Sequence, residues 1–362
     1  MCSKKTKELP GEPLRLGIIG CGHWGANYIR NFHNLPEAKV VGCCDVNEKC
    51  LDVIRQDYPL FRFTTDPDDI LNDGEISGVV VATTAETHYE LVNKALEKGK
   101  HVLAEKPLTL DPAQALALQQ LAQAQKSVLM VDHTFLYNPA VIRLRRLVEE
   151  GHLGTLYYMI ARRTHLGLIR KDVNAIWDLC PHDVSIFNHA INALPTRVSA
   201  VGTSFLSDHA EDFAFIALTY PQGVIGHIFV SWVDSNKTRE VALVGSRSRV
   251  VFNDLDNLER VKIFHKGISI DKPYSNFGEF QLLQRDGDIV SPKIDMVEPL
   301  KVVCKEFLRC VTEQSQPLSD SVCGWEVVKI VHAIDRSIKA DGMPQDIDWT
   351  DHPRRSASGA VV

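Results

Sequence analysis

The apolar positions of the chain fall into two regimes. Up to about residue 135 they come as short runs, each followed by a stretch of helical period. "LRLGII" (14–19) suits a strand buried on both faces. Behind it, "ANYIRNFHNL" repeats its apolar residues at helical spacing. "AKVVGCCD" (38–45), Val79–Val81, "HVLAEKP" (101–107) and "SVLMVDH" (127–133) are further strands. Leu91 to Leu96 marks a helix face, and "DPAQALALQQLAQAQK" reads as a helix with Asp111 as N-cap and Pro112 at its first position. Repeated β-α units predict a doubly wound parallel sheet, in which ligands bind beyond the carboxyl ends of the strands. Thr83, Thr84, Glu105, Lys106, Pro107 and His133 all fall at such ends.

From about residue 140 the pattern changes. "VIRLRRLVEEGHLG" is an amphipathic helix closed by Gly151 and Gly154, and "TLYYMIARRTHLG" starts a strand. Trp177 to His189 runs into a helix. "RVSAVGTSFL", "DFAFIALTYPQGVIGHIFVSWVD", "TREVALVGSRSRVVFND" and "RVKIFHKG" alternate as strands do, with a hairpin turn at "PQG". Two helices close the chain, "EPLKVVCKEFLRCVT" and "SVCGWEVVKIVHAIDRSIKA". The expected organisation is a disordered arm at 1–13, a dinucleotide-binding Rossmann domain at 14–136, an α+β domain at 137–348 with a mostly antiparallel open sheet for substrate binding and oligomerisation, and a flexible tail at 349–362.

Composition narrows the function. A length of 362 residues is too much for one ordinary core, in keeping with two domains. A net charge of −6 asks for neither nucleic acid nor an anionic membrane, which need a basic surface. No apolar run reaches the ~18 residues that span a bilayer, and the N-terminus lacks the apolar segment of a secretory signal. Nine cysteines without a C-x-x-C pair read as free thiols in a reducing cytoplasm. Cys180, His182 and Asp183 are too close on one turn to converge on a metal, so none is expected.

The first candidate chemistry is "GCGHWG" (20–25), a G-x-G-x-x-G between a strand and a helix. Gly20 permits the tight turn, Gly22 lets a pyrophosphate approach the backbone, and Gly25 lets helix and strand pack closely. The helix N-terminus then faces the phosphates. Asp45, twenty residues after Gly25, ends the next strand where an acid bonds the adenosine ribose. A carboxylate there repels a 2′-phosphate, which favours NAD and leaves NADP open. His23, Trp24, Thr83, Thr84 and His88 join the expected cofactor site with the Glu105-Lys106-Pro107 turn.

Together "GCGHWG", "TTAETHYELVNKALEKGKHVLAEKPL", "NPAV" at 138–141 and "PHD" at 181–183 resemble the Gfo/Idh/MocA family of nicotinamide-dependent sugar and inositol dehydrogenases, over about residues 14–345. "KDVNAIWDLCPHDVSI" and "LVGSRSRVVFNDLD" look most like the branch acting on nucleotide-linked sugars, UDP-N-acetylglucosamine or its uronate, oxidised at C3. The resemblance implies hydride transfer between a sugar secondary alcohol and the nicotinamide, with Lys106 stabilising the alkoxide and relaying the proton. By spacing it places His189 at the family's catalytic histidine, with His182 assisting; the residues themselves leave the pair open. Inositol-type members carry an Asp four residues before that histidine, where this chain has Ser185. Asn138, Arg163, Trp177, Asp178 and Asp183 are expected around the substrate, and a homodimer or homotetramer is the expected assembly. A free-sugar or inositol dehydrogenase, or an NAD-binding sensor without turnover, stand as alternatives.

Overall fold

The computed structural model describes residues 12–167, 169–206, 210–269 and 283–353. They divide into two compact units, one running to Tyr137 and resuming over Val297–Lys329, the other covering Asn138–Met296 and the residues from Ile330 onward. In the first unit six strands pair in parallel: β1 (Leu14–Ile19), β2 (Ala38–Cys44), β3 (Arg62–Thr64), β4 (Gly78–Val81), β5 (His101–Ala104) and β6 (Leu129–Val131). Their order is β3-β2-β1-β4-β5-β6, so the direction of winding switches between β1 and β4. The linking helices are α1 (His23–His33), α2 (Glu48–Asp57), α3 (Pro67–Leu71), α4 (Ala85–Glu97) and α5 (Pro112–Gln125). As the sequence predicts, Asp111 caps α5, accepting from the amides of Ala113 and Gln114 at 2.6 and 3.3 Å. The apolar pattern did not mark α2 and α3, which Asn47 and Asp66 cap in the same way.

The second unit opens with α6 (Pro139–Glu149), β7 (Leu156–Leu166) and α7 (Ala175–Ile191). Strands follow: β8 (Arg197–Thr203), β9 (Phe213–Thr219), β10 (Ile225–Ser231), β11 (Val233–Gly245), β12 (Arg249–Asn253), β13 (Val261–Phe264), β14 (Gly267–Ser269), β15 (Leu283–Arg285) and β16 (Ile289–Val290), with β17 (Gln345–Asp346) near the end. Eight of them join β7 in one sheet in the order β16-β13-β12-β11-β7-β10-β9-β8-β17, and β14 and β15 pair separately. Every neighbour in the large sheet is antiparallel except the β7–β10 pair. Alternation sorts the faces. Met159, Ala161, Ala214, Ile216, Leu218, Ile228 and Val230 are buried, while Tyr158, Ile160, Phe215 and Ile225 are exposed. α7 lies on the buried face. A Cβ on Gly226 would come within 2.9 Å of the Phe187 ring, so the glycine sets how closely α7 approaches β10. The "PQG" hairpin joins β9 to β10, with Gln222 and Gly223 at φ +59° and +80°.

Two expectations are corrected. The second domain is not one uninterrupted stretch, because α8 (Pro299–Glu313) belongs to the first unit. Its Leu300, Val303, Phe307 and Val311 share one core with Leu16, Phe32, Val80 and Leu103. Phe307 meets Phe32 edge-on at 6.4 Å between ring centroids, and Glu298 accepts from Arg30 at 2.5 Å and Asn31 at 3.1 Å. An amphipathic helix must bury its apolar stripe, and nothing in its own sequence names the partner. The boundary falls within α9 (Ser321–Lys339), where Gly324 lies close enough to β6 that a Cβ would come 2.6 Å from Val131. The chain after 348 is also not all tail: Trp349 is buried and donates to the Pro195 carbonyl at 2.8 Å. The remainder of the expected tail, 354–362, and residues 1–11 of the expected arm lie outside the described residues.

Candidate functional site

The carboxyl ends of β1, β2 and β4 carry the glycine loop and its acid. Gly20 sits at φ +92°, and a Cβ there would lie 2.5 Å from the Ala82 carbonyl oxygen. At Gly25 it would lie 1.8 Å from the Gly20 oxygen. The protein's own packing therefore demands both glycines. At Gly22, the N-cap of α1, a Cβ would meet nothing within 4 Å. That open space is what an approaching phosphate needs. Asp45 follows β2; its Oδ2 accepts the Cys21 amide at 2.7 Å and its Oδ1 the Asn47 amide at 2.8 Å. A carboxylate pinned this way keeps lone pairs for ribose hydroxyls. Trp24 is 46% exposed, with the His23 ring edge-on to it at 5.3 Å.

After β4, Thr84 is the N-cap of α4, and Thr87 donates to Thr83 Oγ1 at 2.7 Å. His88 is buried, its Nδ1 2.7 Å from the Pro107 carbonyl and its Nε2 3.2 Å from the Thr83 carbonyl. It braces the two strand ends against each other, so both ring nitrogens face protein carbonyls.

Glu105 and Lys106 are 7% and 8% exposed at the end of β5. The Lys106 amide donates to Glu105 Oε2 at 3.2 Å. The hydroxyl of Tyr28, on α1, bonds Glu105 Oε1 at 2.9 Å and also Asp132 Oδ2. Thr134 donates to Asp132 Oδ1 at 2.7 Å. Burial, and then the charge of Asp132, push the Glu105 carboxyl up to about 8, with the Lys106 charge opposing. Burial raises Asp132 too. His133 is buried and held neutral, pushed down to about 3 by burial and then by Lys106. Sequence reasoning missed Tyr28 and Asp132. The available signal was the place of Asp132 at a strand's carboxyl end, whereas Tyr28 reads as core.

In the second unit α7 begins at Ala175; Asn174 caps it, accepting the Trp177 amide at 2.9 Å. Pro181 lies inside the helix. Asp178, His182 and His189 are its partly exposed positions with titratable chemistry, one stripe at i, i+4 and i+11. Asp178 accepts from Arg170 at 3.3 Å and from the Trp232 indole at 3.4 Å. His189 Nδ1 accepts from Arg145, on α6, at 3.1 Å. Burial, and then the Arg145 charge, push His189 down to about 4.

All five residues expected around the substrate have polar atoms engaged in holding the fold, Asp178 through Arg170 and the Trp232 indole. Arg163 and Asp183 are both buried and paired through two hydrogen bonds, at 3.0 and 2.8 Å. Charges so deeply buried have to satisfy one another. Asn138 caps α6, accepting the Ala140 amide at 2.9 Å. Trp177 donates its indole N–H to Asp335 at 2.6 Å, a carboxyl that burial pushes up to about 6. Asp178 is the fifth, and it stays partly exposed. Among the described residues no helix is long and apolar enough to cross a membrane.

A model for an oxidoreductase family with an NAD-binding Rossmann fold matches residues 14–133, and one for the GFO/IDH/MocA C-terminal domain matches residues 141–251. The chain belongs to the Gfo/Idh/MocA family. It is an oxidoreductase whose first unit has the NAD-binding fold, and the open space at Gly22 and the carboxylate of Asp45 fit that cofactor. It is 28% identical over 255 residues to UDP-N-acetylglucosamine 3-dehydrogenase of Acidithiobacillus ferrooxidans, covering 70% of this chain and 78% of that protein. To scyllo-inositol 2-dehydrogenase (NAD(+)) of Bacillus subtilis it is 26% identical over 215 residues, 57% of this chain and 63% of that one. A solved structure of the A. ferrooxidans enzyme has a TM-score of 0.77 at 22% identity, covering 91% of this chain and 99% of that one, and so shares the fold.

Proposed function

We propose that this family member is an NAD-dependent dehydrogenase that oxidises a secondary alcohol of a sugar, with C3 of a UDP-linked N-acetylhexosamine or its uronate as the reacting carbon. The observation that carries the reading is Lys106, a nearly buried cation at the carboxyl end of β5 in a nucleotide-binding sheet. A preorganised positive charge suits an alkoxide developing on the substrate. Gly20, Gly22, Gly25 and Asp45 would hold NAD, which when bound supplies the hydride acceptor. The carboxylate of Asp45 supports NAD over NADP.

In this reading His182, rather than His189, takes the hydroxyl proton. The support is electrostatic: His189 faces a guanidinium that cannot be deprotonated, and its proton affinity is depressed. His182 lies four residues past Asp178 on the same partly exposed stripe of α7. Lys106 stabilises the alkoxide.

The A. ferrooxidans relative supports the nucleotide-sugar substrate. An inositol dehydrogenase is the second reading. With His182 as base, Asp178 stands at the four-residue spacing that inositol-type members carry, and the Bacillus relative points the same way. A homo-oligomer is supported by the exposed sheet face, where Phe215 pairs with Phe229 and Ile225 with Tyr158 across the strands. Eight free cysteines among the described residues support a reducing compartment.

The test is NADH formation with UDP-N-acetylglucosamine, its uronate, myo-inositol and glucose. Turnover of a UDP-sugar is expected. Lys106→Ala is expected to lower kcat by ~10²–10⁴-fold while NAD binding persists. Turnover of inositol alone favours the second reading; full activity in Lys106→Ala overturns the mechanism.

A further inference from the structure

Three buried oxygens meet behind Lys106, and their protons can be counted. Tyr28 Oη is in hydrogen-bond contact with both Glu105 Oε1 and Asp132 Oδ2. A phenol has one proton and can donate to one carboxylate oxygen. The second contact then needs a proton on a carboxyl, or two bare lone pairs would face each other. The other two carboxyl oxygens already have donors, the Lys106 amide on Glu105 Oε2 and the Thr134 hydroxyl on Asp132 Oδ1. The extra proton therefore lies on the side facing Tyr28, whose ring is 0% exposed.

The surrounding charges require the same count. From the end of β5 comes Lys106, whose charge draws both carboxyls down. From the end of β6 comes His133, buried and held neutral. From α8 comes Cys304, a thiol that burial keeps protonated. Burial, and then Asp132 and Glu105, raise Tyr28 itself, so it stays a phenol. Among these described groups Lys106 is the cation, and one buried cation supports one buried anion, not two.

We propose that Tyr28, Glu105 and Asp132 are positioning residues for Lys106, together holding one shared carboxyl proton at neutral pH so that a single negative charge faces its ammonium. The positioning role rests on the function proposed for Lys106; the proton count does not. When alkali removes the shared proton, the cluster gains a second negative charge beside Lys106. That charge opposes the alkoxide Lys106 has to stabilise, so activity falls on the alkaline side with an apparent pKa that belongs to the carboxyl pair.

The test is infrared spectroscopy of the full-length protein at neutral pH, in H2O and D2O. A protonated-carboxyl C=O band that shifts on deuteration is expected, and it disappears in both Asp132→Asn and Glu105→Gln, because either change leaves a lone carboxylate paired with Lys106. Tyr28→Phe, which keeps the ring, is expected to move the band. Absence of the band in the unsubstituted protein, or its survival in either amide variant, overturns the shared proton. The second readout is the pH profile of kcat/KM. Asp132→Asn is expected to lose the alkaline limb, whereas a purely structural role would lower activity equally at every pH and overturn the positioning role. Silence on every sugar with the band present would defeat the proposed function and leave the proton count standing.

Discussion

Arg145 and His189 show how one contact separates two histidines seven residues apart on one helix. His189 accepts from the guanidinium, and its folded-state pKa near 4 lies below the ordinary histidine value of about 6.5. Between those values the unfolded chain binds more protons than the folded one. The stabilising contribution of neutral His189 is therefore present above about pH 6.5 and is lost as pH falls through about 4. His189→Gln is expected to flatten the acid side of a plot of Tm against pH and to change kcat little. His182→Asn is expected to lower kcat by ~10²–10⁴-fold with Tm nearly unchanged. A larger kcat loss in the His189 variant than in the His182 variant would reverse the assignment. Spacing could not separate the two, because both lie on the partly exposed stripe of α7. The distinguishing group, Arg145, sits on another helix.

At the scale of elements, the strand–glycine loop–helix unit offers a contrast between two of its glycines. Gly22 has an ordinary φ of −67° and open space at its missing Cβ, whereas a Cβ on Gly25 would collide with the Gly20 carbonyl. Gly22→Ala should fold with an unchanged Tm and bind NAD at least about tenfold more weakly, a loss of about 1.4 kcal/mol. Gly25→Ala should lower Tm markedly, because helix and strand must move apart. Calorimetric titration with NAD and thermal unfolding of both variants separate the cases, and an unchanged NAD affinity in Gly22→Ala would count against phosphate approach at that position. The close packing at Gly25 was legible beforehand, since a G-x-G-x-x-G between a strand and a helix specifies its own local geometry. The start of α7 was not legible. Pro181 resembles a first-turn proline, but the cap is Asn174, which also donates to Glu211 at 2.7 Å from a distant part of the chain.

For the whole molecule, the open sheet of the second unit leaves an aromatic row uncovered, with the Arg162 guanidinium 5.5 Å over the Phe229 ring. If a second copy covers that face, Phe215→Arg should reduce the mass measured by light scattering to that of a single chain. An unchanged mass would place any assembly contact elsewhere. The presence of two units, the order of β-α units, the glycine loop and the E-K-P turn all followed from the chain alone, because each depends on residues close in sequence and on a repeating apolar period. Three things did not. One was the joining of α8 to the core of the first unit, another the pairing of Arg163 with Asp183, and the third the meeting of Glu105 and Asp132 at the Tyr28 hydroxyl. Each brings together residues far apart in sequence, and the charges that buried groups carry depend on which neighbours folding places beside them. Periodicity shows which residues turn inward; only the folded chain decides whom they meet there.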